Sequence, residues 1–157
     1  MVTSRIVLPN EDFFAEATCM MAEGKEVSFT PKGNSMLPFI RGGEDSVVVI
    51  SPDKIEVGDI VLADVSGKYI MHRVFAVDGE NIVMMGDGNI KGKEKCRKSD
   101  VIGRVKEIHK GKKTVIPGKG RLWRRLLPIR RYLLWIYRKL WPVKTPKQQI
   151  ESSNYAE

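Results

Sequence analysis

The first periodic segment of the chain has the spacing of an amphipathic helix. Its apolar positions share one helical face and are Phe13, Phe14, Ala17, Met20 and Met21. The pattern predicts a helix from about Glu11 to Glu23, with acidic residues in the first turn, where the helix dipole favours them. Asn10 is placed to cap this helix, and Gly24 is placed to end it.

After residue 25 the hydrophobic period shortens to that of β-strands. Short apolar or alternating runs occupy positions 27–29, 47–50, 60–62, 68–77, 81–85, 101–108 and 114–116. Turn residues separate these runs, and Asp78-Gly79-Glu80 is typical of a hairpin turn. The pattern predicts a mainly β fold, in which a coiled, barrel-like β domain follows an N-terminal helix.

The C-terminal part of the chain returns to a helical pattern. Residues 117–120 contain one proline and two glycines and are typical of a linker. The segment beyond them predicts a basic amphipathic helix that Pro128 either begins or kinks. Its apolar face is predicted to hold Ile129, Leu133, Ile136, Tyr137 and Leu140. The expected division is a helical arm at 1–25, a β-rich domain at 26–116, and a linker, helix and polar tail at 117–157.

Charge is distributed unevenly along the chain. Residues 1–90 hold 7 Lys/Arg and 14 Asp/Glu, whereas residues 91–157 hold 20 Lys/Arg and 5 Asp/Glu. A basic C-terminal part favours an anionic partner, and basic residues interleaved with aromatic ones suit the surface of an anionic membrane. The candidate membrane-binding residues are Trp123, Arg124, Arg125, Arg130, Arg131 and Trp135.

Two other interpretations of residues 121–141 stay open. The helix could dock on its own barrel, or it could dock on a second copy of the chain. Nucleic acid is the least favoured partner, because no recognised nucleic-acid-binding motif is present. The chain has no window of about 20 uncharged residues and no signal-peptide pattern at its start. We therefore expect a cytoplasmic protein. Because of the basic segment, peripheral attachment to the inner membrane face is the alternative.

The cysteines and histidines do not form a metal-binding pattern. Cys19 and Cys96 belong to no CxxC pair and lie near no histidine cluster, so neither zinc nor another cofactor is expected. Two free thiols are the favoured interpretation, and one disulfide is the alternative.

One segment has the residue types that present a nucleophilic serine. Residues 33–38 read Gly-Asn-Ser-Met-Leu-Pro. Gly33 allows a tight turn, Pro38 directs the chain after it, and Met36 can anchor the loop so that the Ser35 hydroxyl faces outward. A serine needs a base to become a nucleophile, and taken alone this segment is also compatible with an ordinary turn serine.

Further blocks follow this segment in order. They are Val-Val-Val at 47–49, Val-Gly-Asp-Ile-Val-Leu at 57–62, His-Arg-Val at 72–74, Gly-Asp-Gly-Asn at 86–89 and Asp-Val-Ile-Gly-Arg at 100–104. The series resembles the type I signal peptidases and the related LexA-like serine peptidases over roughly residues 30–108. The resemblance implies that Ser35 is the nucleophile and His72 its base. Many relatives have lysine at the position of His72, so the chain looks closest to the histidine-type, endoplasmic-reticulum-like signal peptidases.

The resemblance is incomplete at the third catalytic group and at the oxyanion hole. Histidine-type relatives carry aspartates a few residues after their Gly-Asp block, whereas this chain has Ile-Lys-Gly-Lys at 90–93. Asp87 is therefore the candidate that orients His72, and a purely structural role in its loop is the alternative. The Ser35 backbone N–H is the implied oxyanion donor. Many bacterial relatives add a hydroxyl two residues before the nucleophile, where this chain has Gly33.

These features predict a serine endopeptidase with a Ser35–His72 dyad. It would cleave an extended peptide or protein precursor after small residues, with the substrate added as a strand beside the site. The alternative is a non-catalytic module on the same barrel that binds peptide or membrane. A self-cleaving repressor is disfavoured, because only about 25 residues precede the barrel.

Overall fold

A computed structural model describes residues 11–142 of the protein. Helix α1 spans Glu11–Ala22 and buries Phe13, Ala17 and Met21. It ends at Gly24, whose φ of +78° lets the Lys25 N–H donate back to the carbonyl of Met20. The predicted helix and its C-terminal glycine are confirmed, and Asn10 lies outside the described residues.

The strands form one antiparallel sheet. They are β1 (Val27–Phe29), β2 (Ser46–Ile50), β3 (Ile60–Val65), β4 (Lys68–Asp78), β5 (Asn81–Met85), β6 (Glu94–Arg97), β7 (Val101–Lys110) and β8 (Lys113–Val115). The strand order is β1-β2-β7-β3-β4-β5-β6, and β8 pairs with β7. The sheet curls into a half-barrel, so the predicted mainly β, barrel-like fold with helices at both ends is confirmed. Strand β6 is not among the predicted strands, because it alternates charged residues without an apolar run.

Apolar side chains pack on both faces of this sheet. The larger cluster joins α1 to β1, β2, β3 and β7, with Phe13, Met21, Phe29 and Val49 among its members. The smaller cluster lies on the opposite face and includes Val61, Val74, Ile82 and Met84. The central strands are therefore buried on both faces, which explains their unbroken apolar runs.

Strand β4 changes its neighbour half-way along its length. Residues 68–73 pair with β3, and pairing with β5 begins only at Arg73. On the side away from β3, residues 68–72 therefore have no strand partner within 11–142. Strand β1 is an edge strand, paired only with β2. These two open edges border the cavity described below.

Within residues 11–142, two separate helices follow the linker. The sequence predicts a single helix, either begun or kinked by Pro128. Helix α2 spans Arg121–Arg125 and α3 spans Arg130–Leu140, with Pro128 in the turn between them. The buried side chains of α3 are Arg130 and Leu134, not those of the predicted apolar face. Ile129, Ile136 and Leu140 of that face are exposed. No helix between residues 11 and 142 has the length and apolar character needed to cross a bilayer.

Candidate functional site

Ser35 lies in a turn that follows β1. The Leu37 N–H donates to the Asn34 carbonyl, and the Ile40 N–H donates to the Met36 carbonyl at 3.0 Å. Met36 and Leu37 are buried in the protein, whereas Ser35 is only half-buried. The apolar neighbours thus fix the turn, and the predicted role of Met36 as an anchor agrees with its burial.

The segment before Ser35 depends on a close backbone approach. Gly33 has a φ of +80°, which favours glycine. A side chain at Gly42 would collide with the carbonyl of Gly33, and the Gly43 N–H donates to the Pro31 carbonyl at 2.8 Å. The glycines therefore hold residues 31–33 against the loop at 42–43.

The loop at 86–89 fixes the other side of Ser35. The Gly88 N–H donates to the Ser35 carbonyl at 2.8 Å. A Cβ at Gly86 would collide with the same carbonyl and lie 3.0 Å from Nε2 of His72. Gly86 therefore lets the Ser35 backbone and the His72 imidazole approach each other closely.

His72 is a buried residue of β4, and its imidazole has a carboxylate partner. Nδ1 lies 2.8 Å from Oε2 of Glu94, the first residue of β6. A carboxylate can only accept hydrogen bonds, so this contact places a proton on Nδ1. In the neutral imidazole, Nε2 then carries the lone pair on the side of the ring nearest to Gly86 and Ser35. That nitrogen is available to accept a proton.

Ser35 and His72 line the same cavity. Its volume is about 360 Å³, and Phe29, Tyr69 and Met71 contribute to its mainly apolar wall. Among the hydrogen bonds of residues 11–142, none joins the Ser35 hydroxyl to His72, and none uses the Ser35 N–H. The structure therefore brings the predicted nucleophile and base to one cavity without a direct hydrogen bond between them.

Asp87 has a different partner from the predicted one. Its carboxylate accepts hydrogen bonds from Nε and Nη2 of Arg73 at 2.8–3.0 Å, and both side chains are buried. Arg73 also donates to the carbonyls of Gly58 and Gly118. The carboxylate beside His72 thus belongs to Glu94, because Asp87 neutralises the buried guanidinium next to it.

The C-terminal helices hold the same loop from outside. The Trp123 indole N–H donates to the Asp87 carbonyl at 2.9 Å, and Arg130 donates to the carbonyls of Asn89 and Trp123. Burial lowers the pKa of Arg130, whose guanidinium also lies 5.2 Å from the Trp123 ring. Two predicted membrane-binding residues, Trp123 and Arg130, therefore make internal contacts, and the exposed Arg124 also donates to the Phe75 carbonyl at 3.4 Å. Arg125, Arg131 and Trp135 are exposed.

The remaining titratable candidates do not line the Ser35 cavity. His109 is partly exposed, and its Nε2 lies 3.2 Å from the carboxylate of Glu107. Cys19 and Cys96 are free thiols. No group of three His, Cys, Asp or Glu side chains in the described part of the chain could hold a metal ion.

Comparison with known protein families identifies the family of the chain. Residues 3–106 match the family described as Peptidase S24-like. The chain belongs to that family. Membership places it with peptidases in the superfamily of LexA and the signal peptidases, as the ordered blocks predict. No curated protein matches the sequence.

The structure adds two residues of the candidate site that the sequence did not single out, Arg73 and Glu94. In the sequence, Arg73 is the second residue of the His-Arg-Val block, and no pattern there indicates that its charged side chain is buried. Glu94 follows Lys93 in a charged stretch, where a solvated role is the common one. Glu94 and Cys96 are two residues apart on β6, so their side chains lie on the same face of the sheet. This spacing is the signal that could have predicted the position of Glu94.

Proposed function

We propose that the protein is a serine endopeptidase whose catalytic residues are Ser35 and His72, with Glu94 as the positioning residue. The observation that carries the proposal is the 2.8 Å contact between His72 Nδ1 and Glu94, which leaves Nε2 free on the side nearest Ser35. A buried histidine held by a carboxylate is the arrangement in which a neutral imidazole acts as general base.

The proposed reaction follows from these groups. His72 Nε2 takes the hydroxyl proton of Ser35 as Oγ bonds to the scissile carbonyl carbon, and the C=O π electrons move to the oxygen. When the tetrahedral intermediate collapses, the C–N bond breaks and His72 gives the proton to the leaving amine. Water then attacks the acyl-enzyme by the same proton route, releasing the acid and restoring Ser35.

Stabilisation of the oxyanion is assigned to the backbone of the serine turn. The Ser35 N–H has no hydrogen-bond partner among residues 11–142, so it is free to donate to a developing negative charge. The Gly88 N–H holds the Ser35 carbonyl and thereby fixes the orientation of the neighbouring peptide groups. Gly33 supplies no side-chain donor, so the oxyanion hole of this enzyme consists of backbone groups.

The substrate is proposed to be an extended peptide or protein precursor. The unpaired edge of β4 at residues 68–72 and the open edge of β1 both border the cavity that contains Ser35. A peptide strand between them gains backbone hydrogen bonds on either side, as in other cases of strand addition. Cleavage after a small residue and a histidine-type, signal-peptidase-like activity remain parts of the proposal.

Labelling with a fluorophosphonate that reacts with activated serines tests the dyad. We expect labelling of the wild type at Ser35, none in Ser35→Ala, and a rate at least about 10²-fold lower in His72→Ala, because the base is lost. Ser51→Ala is the matched control, since Ser51 is exposed and lies outside the cavity. Equal labelling of all four proteins would contradict the proposal.

A second candidate is a peptide-binding module that does not cleave. The observation in its favour is that no hydrogen bond joins the Ser35 hydroxyl to His72 within residues 11–142. Hydrogen bonds of a catalytic site often tighten only with substrate bound, so this geometry is compatible with either function. Peptide binding without cleavage, together with no labelling of Ser35, would favour the module.

A further inference from the structure

Helix α3 has an apolar face that no other part of residues 11–142 covers. Tyr132, Trp135, Ile136 and Leu140 lie at helical spacing on the side opposite Leu134; we call them the outer face of α3. Their exposure is 67%, 62%, 46% and 63%, respectively. Four large apolar residues left together in water are unusual for a protein surface and indicate a binding surface.

Cations lie beside this outer face, and helix α2 carries further ones. Arg121, Arg124, Arg125, Arg131, Arg138 and Lys139 are exposed, and residues 121–142 contain no Asp or Glu. Throughout residues 11–142, none of these six side chains forms an ion pair with a carboxylate. No carboxylate within residues 11–142 therefore neutralises this positive charge, which favours an external anion.

A groove beside α3 combines the two properties. It has a volume of about 520 Å³, and its walls are Ile90, Arg131, Tyr132, Trp135 and Arg138. Aromatic rings next to guanidinium groups suit the boundary between lipid headgroups and acyl chains, where rings reside at headgroup level and cations meet phosphate.

We propose that the outer face of α3 docks the protein on the surface of an anionic lipid bilayer. The helix would lie in the plane of the interface, with Trp135, Ile136 and Leu140 entering the region between headgroups and acyl chains. Arg131 and Lys139 would remain with the phosphates. This proposal concerns a different surface from the Ser35 cavity, so it stands independently of the peptidase activity.

Two other partners fit these observations less well. In a symmetric contact with a second copy of the chain, the cations of both α3 helices would face each other without carboxylates to balance them. Nucleic acid would satisfy the cations, but its phosphates provide no apolar environment for Ile136 and Leu140. A bilayer of anionic lipid satisfies both the charge and the apolar side chains.

Co-sedimentation of the full-length protein with vesicles tests the docking. We expect binding to phosphatidylcholine vesicles that contain phosphatidylglycerol, weak binding to phosphatidylcholine alone, and weaker binding as salt increases, because ions screen the surface charge. Ile136→Ser and Arg131→Gln should each lower the affinity about fivefold or more. Since both side chains are exposed, these variants should unfold at the same denaturant concentration as the wild type.

The chain offers matched controls for each change. Ile116→Ser removes an exposed isoleucine outside the face, and Lys113→Gln removes an exposed charge from β8. Both should bind vesicles like the wild type, as should Ser35→Ala, which separates docking from catalysis. The proposal is overturned if the face variants equal their controls, or if vesicles do not bind. It is equally overturned if Ile136→Ser instead abolishes a dimer or the binding of duplex DNA or single-stranded RNA.

Discussion

Oε2 of Glu94 lies 2.8 Å from Nδ1 of His72, across 22 positions of the sequence. The contact depends on the pairing of β5 with β6, in which Glu94 lies opposite Met84. Met84 is fully buried, so the backbone that carries Glu94 is tied to the core of the sheet. The carboxylate is thereby held against the imidazole, where it would stabilise the imidazolium of the proposed mechanism.

Glu94→Gln is expected to slow acylation of Ser35 by about 10²–10⁴-fold. The amide keeps the size of the side chain but loses its charge, and its NH2 group can hold the wrong histidine tautomer. The rate of fluorophosphonate labelling measures the effect. Urea unfolding should show little change in stability, because Glu94 is partly exposed.

Glu107→Gln is the matched control for this prediction. Glu107 lies beside the other histidine, His109, at 3.2 Å, and away from the cavity. We expect it to label at the wild-type rate. If Glu94→Gln also labels at that rate, Glu94 does not position His72.

Asp87→Asn is expected to affect stability more than chemistry. The change leaves the buried guanidinium of Arg73 without its counter-charge, which costs about 3–5 kcal/mol of unfolding free energy. Urea denaturation measures this loss. Asp53→Asn, at an exposed position, should leave the free energy of unfolding unchanged. A fully stable Asp87→Asn with no labelling would instead support a direct catalytic role for Asp87.

Gly86→Ala is expected to distort the candidate site. The added methyl group would collide with the Ser35 carbonyl and press on His72 Nε2, so labelling should fall at least about tenfold and stability by about 1–3 kcal/mol. Gly118→Ala is the control, since nothing lies within 4 Å of a Cβ at that position. Normal labelling of Gly86→Ala would show that the close approach is not needed.

Lys119 makes a pH-dependent contribution to stability at the linker. Its hydrogen bond to Asp59 raises the pKa of the ammonium group above its ordinary value of 10.5, with Glu56 adding to the effect. Because the folded-state pKa is the higher one, the stabilisation is complete well below pH 10.5 and is lost as the pH rises through the raised value.

Lys119→Met should therefore lower the free energy of unfolding by less than about 1 kcal/mol near neutral pH, since the ion pair is partly exposed. The difference from the wild type should shrink as the solution becomes strongly alkaline. Unfolding curves over a pH series measure this, with Lys112→Met as the control at an exposed position. A difference that does not change with pH would exclude the ionic contribution.

Most of the fold can be predicted from the sequence, because the apolar residues that become buried recur with the period of a helix or of a strand. The α1 face, the β-branched runs and the glycine turns correspond to the helix, strands and turns of the structure. Ser35 and His72 also line one cavity, which could be predicted from the order of the sequence blocks although neither block was decisive alone.

The sequence does not predict which charged groups meet inside the protein. Asp87, Arg73 and Glu94 are all charged residues near His72, and only the register of β4, β5 and β6 decides their pairing. Arg130 is a similar case. Periodicity assigns it to the polar side of the helix, yet it is buried and makes two hydrogen bonds to backbone carbonyls and one contact with the Trp123 ring. Long-range pairing of this kind leaves no trace in local composition.

The bonds from Trp123 and Arg130 to the 86–89 loop have a consequence for local opening. Fraying of α2 and α3 would release the carbonyls of Asp87 and Asn89, beside the Gly88 N–H that holds Ser35. Opening of the helices and loosening of the loop are thus linked equilibria, and their amides should exchange with solvent as one cooperative unit. A chain shortened before residue 121 would therefore lose rigidity around Ser35 as well as its C-terminal helices.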